Sequence, residues 1–402
     1  VVGAVAAGSP LAAWAGAEVL ACGGNAVDAA VAAAFAAGAA EAPLTGPGAG
    51  GFLLARTPGG EATLLDFFVS VPGTGAGGRR LDPKDLDNFT VPFGGAEQVF
   101  HIGPASVAVP GMVPGLCEAT ATLGRIPLAD LVAPAVRIAR EGVEITAATA
   151  YLHAILRDML NATPASAAMF HPEGRPPQEG ERLRFPDLAD TLEEIGRAGA
   201  GVVVDGSVGR AIVDYMGPAG GLVTSEDLAG YRVVERTPLE VRYRDATMLT
   251  NPPPSSGGAL IAAAMRSLEG DPPASDDVSF YRRVAAAGRH ANRVRAAESR
   301  KPVGSTTHVS AVDADGGVAS LSSSCGSGSG VVIPGTGMLM NNMLGEEDLN
   351  PGGFGLLDPG SRMPSMMAPT IVLRGGEPLL VLGSAGSNRL RSAILQATVS
   401  VL

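Results

Sequence analysis

The stretch A-A-V-A-A-A-F-A-A-G-A-A, residues 29–40, carries no charge and almost no large side chain. It is bounded by Asp28 and Glu41 and is too short and too weakly hydrophobic to span a membrane. Hydrophobic residues make up 46% of the 402 and aromatics only 4%, so the core must be built largely from small side chains. Such a core lets backbone layers approach closely. Asn25 is placed to cap this helix, expected over residues 26–40. Ser9-Pro10 is placed to open another, which Gly23-Gly24 stops after residue 21.

The rest of the chain alternates in character. The glycine run 46–51 follows a helix and leads into F-L-L-A-R-T. It lacks the strand-before, helix-after context of a dinucleotide loop, so its glycines are read as allowing close backbone approach. Residues 62–69 are expected to pair back across Pro58-Gly59-Gly60. Residues 104–160 read as helical with Pro and Gly interruptions, and residues 187–198 and 208–215 as amphipathic helices. Thr224 reads as a helix start. Strands are expected at 239–243 and 246–250, and a rigid turn at 252–258 feeds a helix from Ala259. Residues 269–305 read as a polar, irregular surface segment. Beyond 306 the chain is mostly strand and turn until a last helix from Asn388. Helices early, strands late and strands from both ends suggest stacked sheets covered by helices, an α+β architecture.

Several function classes are disfavoured. The formal charge is −11 and no Lys/Arg run exists, so a nucleic-acid partner is not expected. Three cysteines and five histidines lack metal or redox spacing, so no metal and no cofactor is expected. No basic leader region opens the chain. That favours a cytoplasmic location; removal of a leader would instead make the protein periplasmic or secreted.

The chemistry sits in G-S-T-T-H-V-S-A-V-D-A-D-G-G-V-A-S-L, residues 304–321. With Asp315-Gly316 as a two-residue turn, cross-strand partners sum to 631. Thr306 then faces Cys325 and Thr307 faces Ser324, and a one-residue slip keeps both near. A threonine hydroxyl needs an adjacent base, and its own α-amine serves if the Ser305–Thr306 bond is cut. Thr306 itself could make that cut by attacking the Ser305 carbonyl. A second element, V-L-G-S-A-G-S-N-R (381–389), runs from a strand through a Gly-rich turn into a helix. Successive N–H groups there suit an oxyanion.

Together these elements resemble the γ-glutamyltranspeptidase family of N-terminal nucleophile hydrolases. The resemblance extends through G-G-N-A-V-D-A-A-V-A-A (23–33), G-P-A-S-V-A-V-P-G-M-V-P-G-L (103–116), L-V-T-S-E-D-L-A-G-Y (222–231), N-P-P-P-S-S-G-G (251–258) and G-S-G-V-V-I-P-G-T-G-M-L-M-N-N (328–342). It implies a four-layer αββα sandwich, formed by a large subunit 1–305 and a small subunit 306–402 cut from one precursor. Carried over, Thr306 is the nucleophile, Thr307 supports the cut and Ser324 stands for the family's second active-site threonine. Gly386 and Ser387 stand where two glycines supply oxyanion N–H groups.

The acyl pocket departs from the family. Phe68 follows Leu65-Asp66-Phe67 where the family has an arginine for the glutamyl α-carboxylate. Ser365-Met366 replaces a serine pair. Glu346, with Glu347 and Asp348, stands for the acid that holds the α-ammonium. The expected partners are a small-molecule amide and water or an amine acceptor. The activity implied is cleavage of γ-glutamyl or related acyl amides through a threonyl ester. An acylase for a glutaryl or apolar acyl group is one rival reading, and an uncleaved, silent scaffold the other. Arg362 or Arg389 is a candidate to replace the lost arginine.

Overall fold

The computed structural model describes residues 3–92, 97–270, 276–296, 305–350, 352–386 and 388–402. Two antiparallel sheets lie at its centre. The first has β1 (Gly3–Ala7), β2 (Gly50–Arg56), β3 (Ala62–Phe67), β4 (Val234–Arg236), β7 (Ser305–Asp313) and β8 (Val318–Gly326), in the order β1-β7-β8-β2-β3-β4. The second has β5 (Leu239–Tyr243), β6 (Ala246–Thr250), β9 (Thr370–Arg374) and β10 (Glu377–Leu382), in the order β10-β9-β6-β5. The expected strands 239–243 and 246–250 are therefore found residue for residue.

Strand alternation sorts side chains into layers. Val309, Ala311, Ala319 and Leu321 point to one face of the first sheet, against α1 (Pro10–Ala21) and α2 (Ala26–Ala40). Every residue of α2 is buried: all but Asp28 are apolar, and the Asp28 carboxylate accepts from the Asn25 and Arg125 N–H groups. The small side chains do what the composition implied: a Cβ on Gly16 of α1 would lie 2.7 Å from the Ala29 carbonyl oxygen. Phe52, Leu54, Leu64 and Val318 point the other way and meet Leu249 and Ile371 of the second sheet. Hydroxyls tie the sheets together, Ser310 donating to the Val381 carbonyl at 3.0 Å and Ser320 to the Leu382 carbonyl at 3.1 Å. The outer face of the second sheet buries Val241, Met248 and Val372 against α3 (Ser256–Arg266), α4 (Asp277–Ala296) and α5 (Asn388–Val401). Helix, sheet, sheet, helix is the four-layer αββα sandwich.

Three local expectations need correction. The segment read as irregular over 269–305 contains α4, a 20-residue helix. Its apolar stripe is sparse, with Phe280, Val284, Ala287 and Ala291 at helical spacing between arginines, and these residues pack against the second sheet's helical cover. The 306 hairpin also turns differently. Val312 pairs with Val318, so the partners sum to 630 and the loop is one residue longer than a two-residue turn allows. Gly316 takes φ 84° in that loop, the left-handed residue such a turn needs. The helix after the proline turn starts at Ser256 and not at Ala259.

Candidate active site

Thr306 sits at a break in the β7–β8 ladder. Ser305 pairs with Gly326 and Thr307 with Ser323, so Ser324 and Cys325 together oppose Thr306. This is a β-bulge, and such breaks re-aim side chains beside functional sites. The expected pairing of Thr307 with Ser324 is thus replaced by Thr307 with Ser323. The bulge absorbs the extra residue.

Thr306 and Ser324 both line a hollow, partly open to solvent, at the edge of the inter-sheet space. Phe68, Glu346, Ser365 and Met366 line the same cavity, with Gly326, Met343, Asp348, Leu349, Met367 and Leu390. Every substrate-pocket residue expected from the sequence therefore converges on one hollow with the proposed nucleophile. Ser324 Oγ accepts from the Gly326 N–H at 2.9 Å, which fixes its rotamer at the bulge. The Phe68 ring stacks on Phe52 with centroids 5.5 Å apart and forms an apolar wall. Ser365 accepts from the Met367 N–H at 3.1 Å, and Met366 Sδ accepts from Ser256 Oγ at 3.0 Å.

Glu346 is the buried charge of the site. Its Oε1 accepts from the Ser327 N–H at 2.9 Å and from Ser327 Oγ at 3.0 Å. Asn342 orients that serine, donating to its Oγ at 2.6 Å. Burial outweighs these hydrogen bonds and pushes the Glu346 carboxyl up to about 7, with a smaller push from Asp348. Glu347, by contrast, is mostly exposed and lies 3.9 Å from His101.

Other expected residues lie elsewhere. Thr307 points to the opposite face of β7, as alternation demands, and donates to Glu41 Oε2 at 2.6 Å. Glu41 was not expected at the site. It closes α2 as the C-cap residue, its pKa is raised chiefly by burial, and its Oε1 is buried without a partner. Thr307→Val should take away the side-chain donor of this carboxylate, leaving it the Ser9 backbone, and cost about 1–3 kcal/mol. The expected result is a melting temperature lowered by several degrees at pH 8. The loss should shrink at pH 4, where Glu41 is protonated; Thr307→Ser should melt like the parent. Gly386 lies in the loop leaving β10 with φ 100°. Ser387 lies outside the described residues. The start of that loop rests on the Thr306 face of β7: a Cβ on Gly383 would come within 2.2 Å of His308 Nδ1. His308 is within hydrogen-bonding distance of Ser322 Oγ (2.9 Å) and Ser310 Oγ (3.1 Å), and burial pulls it down to about 3, so it is a neutral packed residue. Cys325 is fully buried and its thiol is pushed up to about 12, which makes it inert.

Neither candidate arginine lines the cavity. Arg362 lies behind β3, 3.4 Å from Asp66 Oδ1, donating to the Phe68 carbonyl and to Tyr231 Oη at 2.8 Å, with its guanidinium over the Tyr231 ring. Arg389 folds back on its own loop, its Nε 3.4 Å from the Gly386 carbonyl oxygen. Among the described residues no group of three or more His, Cys, Asp and Glu is arranged to hold a metal, and no helix is long and apolar enough to cross a membrane.

Two stacked antiparallel sheets covered on both outer faces by helices are the architecture of the N-terminal nucleophile hydrolases, a class that cleaves amides and transfers acyl groups. The family model for gamma-glutamyltranspeptidase matches residues 12–301 and 281–402, and the chain belongs to that family. It is 33% identical to the acylase ACY 1 proenzyme of Pseudomonas sp. (strain SE83), covering 100% of this chain and 79% of that protein. It is 30% identical to the glutathione hydrolase proenzyme of Escherichia coli (strain K12), covering 99% and 77%. Among solved structures, cephalosporin acylase from Bacillus halodurans superposes with a TM-score of 0.83 at 27% identity, over 99% of this chain and 80% of that one. The Helicobacter pylori gamma-glutamyltranspeptidase gives 0.65 at 30% identity, over 74% and 84%.

Proposed function

We propose that this γ-glutamyltranspeptidase-type enzyme cuts itself between Ser305 and Thr306 and then hydrolyses acyl amides on Thr306. The observation that carries the reading is the shared cavity of Thr306, Ser324 and the buried Glu346. In maturation, Thr306 Oγ attacks the Ser305 carbonyl carbon and the peptide C–N bond breaks. The products are an ester on Oγ and a free α-amine. Water hydrolyses the ester, leaving chains 1–305 and 306–402. The freed amine titrates near about 7.7–8.0 and is a competent base close to neutrality. In turnover it takes the Oγ proton as Oγ attacks the acyl carbonyl, and passes that proton to the leaving amine. Water, or an amine acceptor, then takes the acyl group from Thr306. Ser324 supports the nucleophile through its hydroxyl. The N–H groups at Gly386 and Ser387 hold the oxyanion in this reading, on the strength of the family resemblance.

The acyl group is where the readings divide. Relatives named glutathione hydrolase support a γ-glutamyl substrate. Among the described residues no Lys or Arg lines the cavity, which supports the second reading, an acylase for a group without an α-carboxylate, and relatives named acylase fit it. Intact-mass measurement of the purified protein after incubation with an acyl anilide tests the shared chemistry. Two chains of the stated bounds are expected, with an acyl increment on 306–402. A single uncut chain without adduct would support a silent scaffold and overturn the proposal.

A further inference from the structure

Six polar side chains form a double row where the two sheets meet. Thr306, His308 and Ser310 alternate along β7, and Ser320, Ser322 and Ser324 alternate along β8 beside them. The end of β10 runs along this row. The Val381 carbonyl accepts from Ser310 Oγ at 3.0 Å, the Leu382 carbonyl accepts from Ser320 Oγ at 3.1 Å, and a Cβ on Gly383 would lie 2.2 Å from His308 Nδ1. Each step out of β10 is thus a step along β7 toward Thr306, which is one rung of about 7 Å beyond His308. That course aims the loop 384–386 at the Thr306 rung. We infer that His308 is a positioning residue: its ring is the rest on which Gly383 lies, and it sets how far the loop carrying the Gly386 N–H stands from Thr306. This rests on the amide-cleaving reading above and adds one member to its site.

The hydrogen bonds fix the ring and its tautomer. Ser310 has one hydroxyl hydrogen and gives it to the Val381 carbonyl, so it offers His308 Nε2, 3.1 Å away, only a lone pair. Nε2 therefore carries the ring hydrogen. Burial keeps the imidazole neutral, so Nδ1 is bare and accepts from Ser322 Oγ at 2.9 Å. Held at both nitrogens between two strands, the ring is a rigid spacer. Its Nδ1–Cε1 edge meets Gly383, where a Cβ would also lie 2.3 Å from Cε1. Gly383 does not take a left-handed φ, so space and not backbone conformation asks for glycine there.

The test uses the self-processed protein, its γ-glutamyl, glutaryl and butanoyl p-nitroanilide kinetics, and a melting curve for each variant. Gly383→Ala should lower kcat about 10²-fold, the cost of a misplacement of about 1 Å, while KM stays within about threefold. Adding His308→Ala makes room for the new methyl and should recover at least about tenfold of that loss. His308→Ala alone should also lower kcat, and His308→Gln, whose amide keeps a donor for Ser310, should lower it less. A packing fault with no bearing on the loop would lower the melting temperature and leave the double variant no better than Gly383→Ala. That result would overturn the inference, as would a Gly383→Ala enzyme as fast as the parent. A parent left uncut, or cut and inert toward all three anilides, would overturn the underlying reading instead.

Discussion

Thr306→Ala should purify as a single full-length chain and lose turnover by at least about 10³-fold, the scale on which removal of a hydrolase nucleophile is felt. Both losses come from one atom. Without Oγ nothing attacks the Ser305 carbonyl, so the α-amine stays locked in a peptide, and no ester forms on substrate. The substitution should not unfold the protein. Thr306 lies on the cavity wall at a bulge, where the ladder is already interrupted and a lost methyl and hydroxyl open space toward the hollow. A melting temperature within a few degrees of the parent therefore accompanies the loss. Thr306→Ser keeps the oxygen and gives up the branched carbon that restricts χ1, so it should still cut and turn over, more slowly. Denaturing electrophoresis and anilide hydrolysis read both effects. An alanine variant that still separates into 1–305 and 306–402 would move the nucleophile elsewhere.

Much of this site was legible because its residues announce themselves locally. The α2 helix begins where Asn25 and Asp28 form a reciprocal capping box, and the helix at Ser225–Gly230 where Thr224 and Asp227 do the same. The strands around Arg244, with its φ of 54°, alternate cleanly on either side of a tight turn. What failed locally was decided by tertiary context. The α4 helix has too few apolar residues to show a stripe until α3 and α5 supply a surface to cover. The hairpin register depended on whether Asp313 or Ala314 closes the turn. Asp313 closes it, because its carboxylate accepts from the Asp315 and Gly317 N–H groups as well as from Ala26 across the layer. No periodicity connects Glu41 to Thr307, 266 positions apart, nor Leu390 and Met343 to the cavity they line. The pocket residues Phe68, Glu346, Ser365 and Met366 were found only because the family's motifs say where to look. Alternation along β7 separates the two threonines, one facing the cavity and one facing the helices.

Glu346→Gln should make the protein more heat-stable at pH 8.5 while making it a poorer enzyme. In the unfolded chain this carboxyl ionises near 4.5; in the fold burial holds it protonated up to about 7. The folded state therefore binds the extra proton across that window, and stability falls as pH rises through it. Below 4.5 both states are protonated and the cost is absent. Above 7 both are ionised and the cost is complete, at about 3 kcal/mol for a shift of this size. Glutamine removes the cost with little change of shape. Its oxygen still accepts from Ser327 N and Oγ, and Asn342 stands beside it as a further hydrogen-bonding neighbour. The expected gain is several degrees of melting temperature at pH 8.5, fading to nothing near pH 4.5, measured on parent and variant in the same processed state. The Glu41 carboxyl, also raised by burial, contributes a slope of the same sign to both proteins and cancels in the difference. A variant less stable than the parent at pH 8.5 would mean the Glu346 carboxylate is already compensated in the empty pocket. A gain that grows between pH 4.5 and 7 and is complete above it would show that the same burial that holds the Glu346 carboxyl protonated up to about 7 is a cost the fold carries at this cavity.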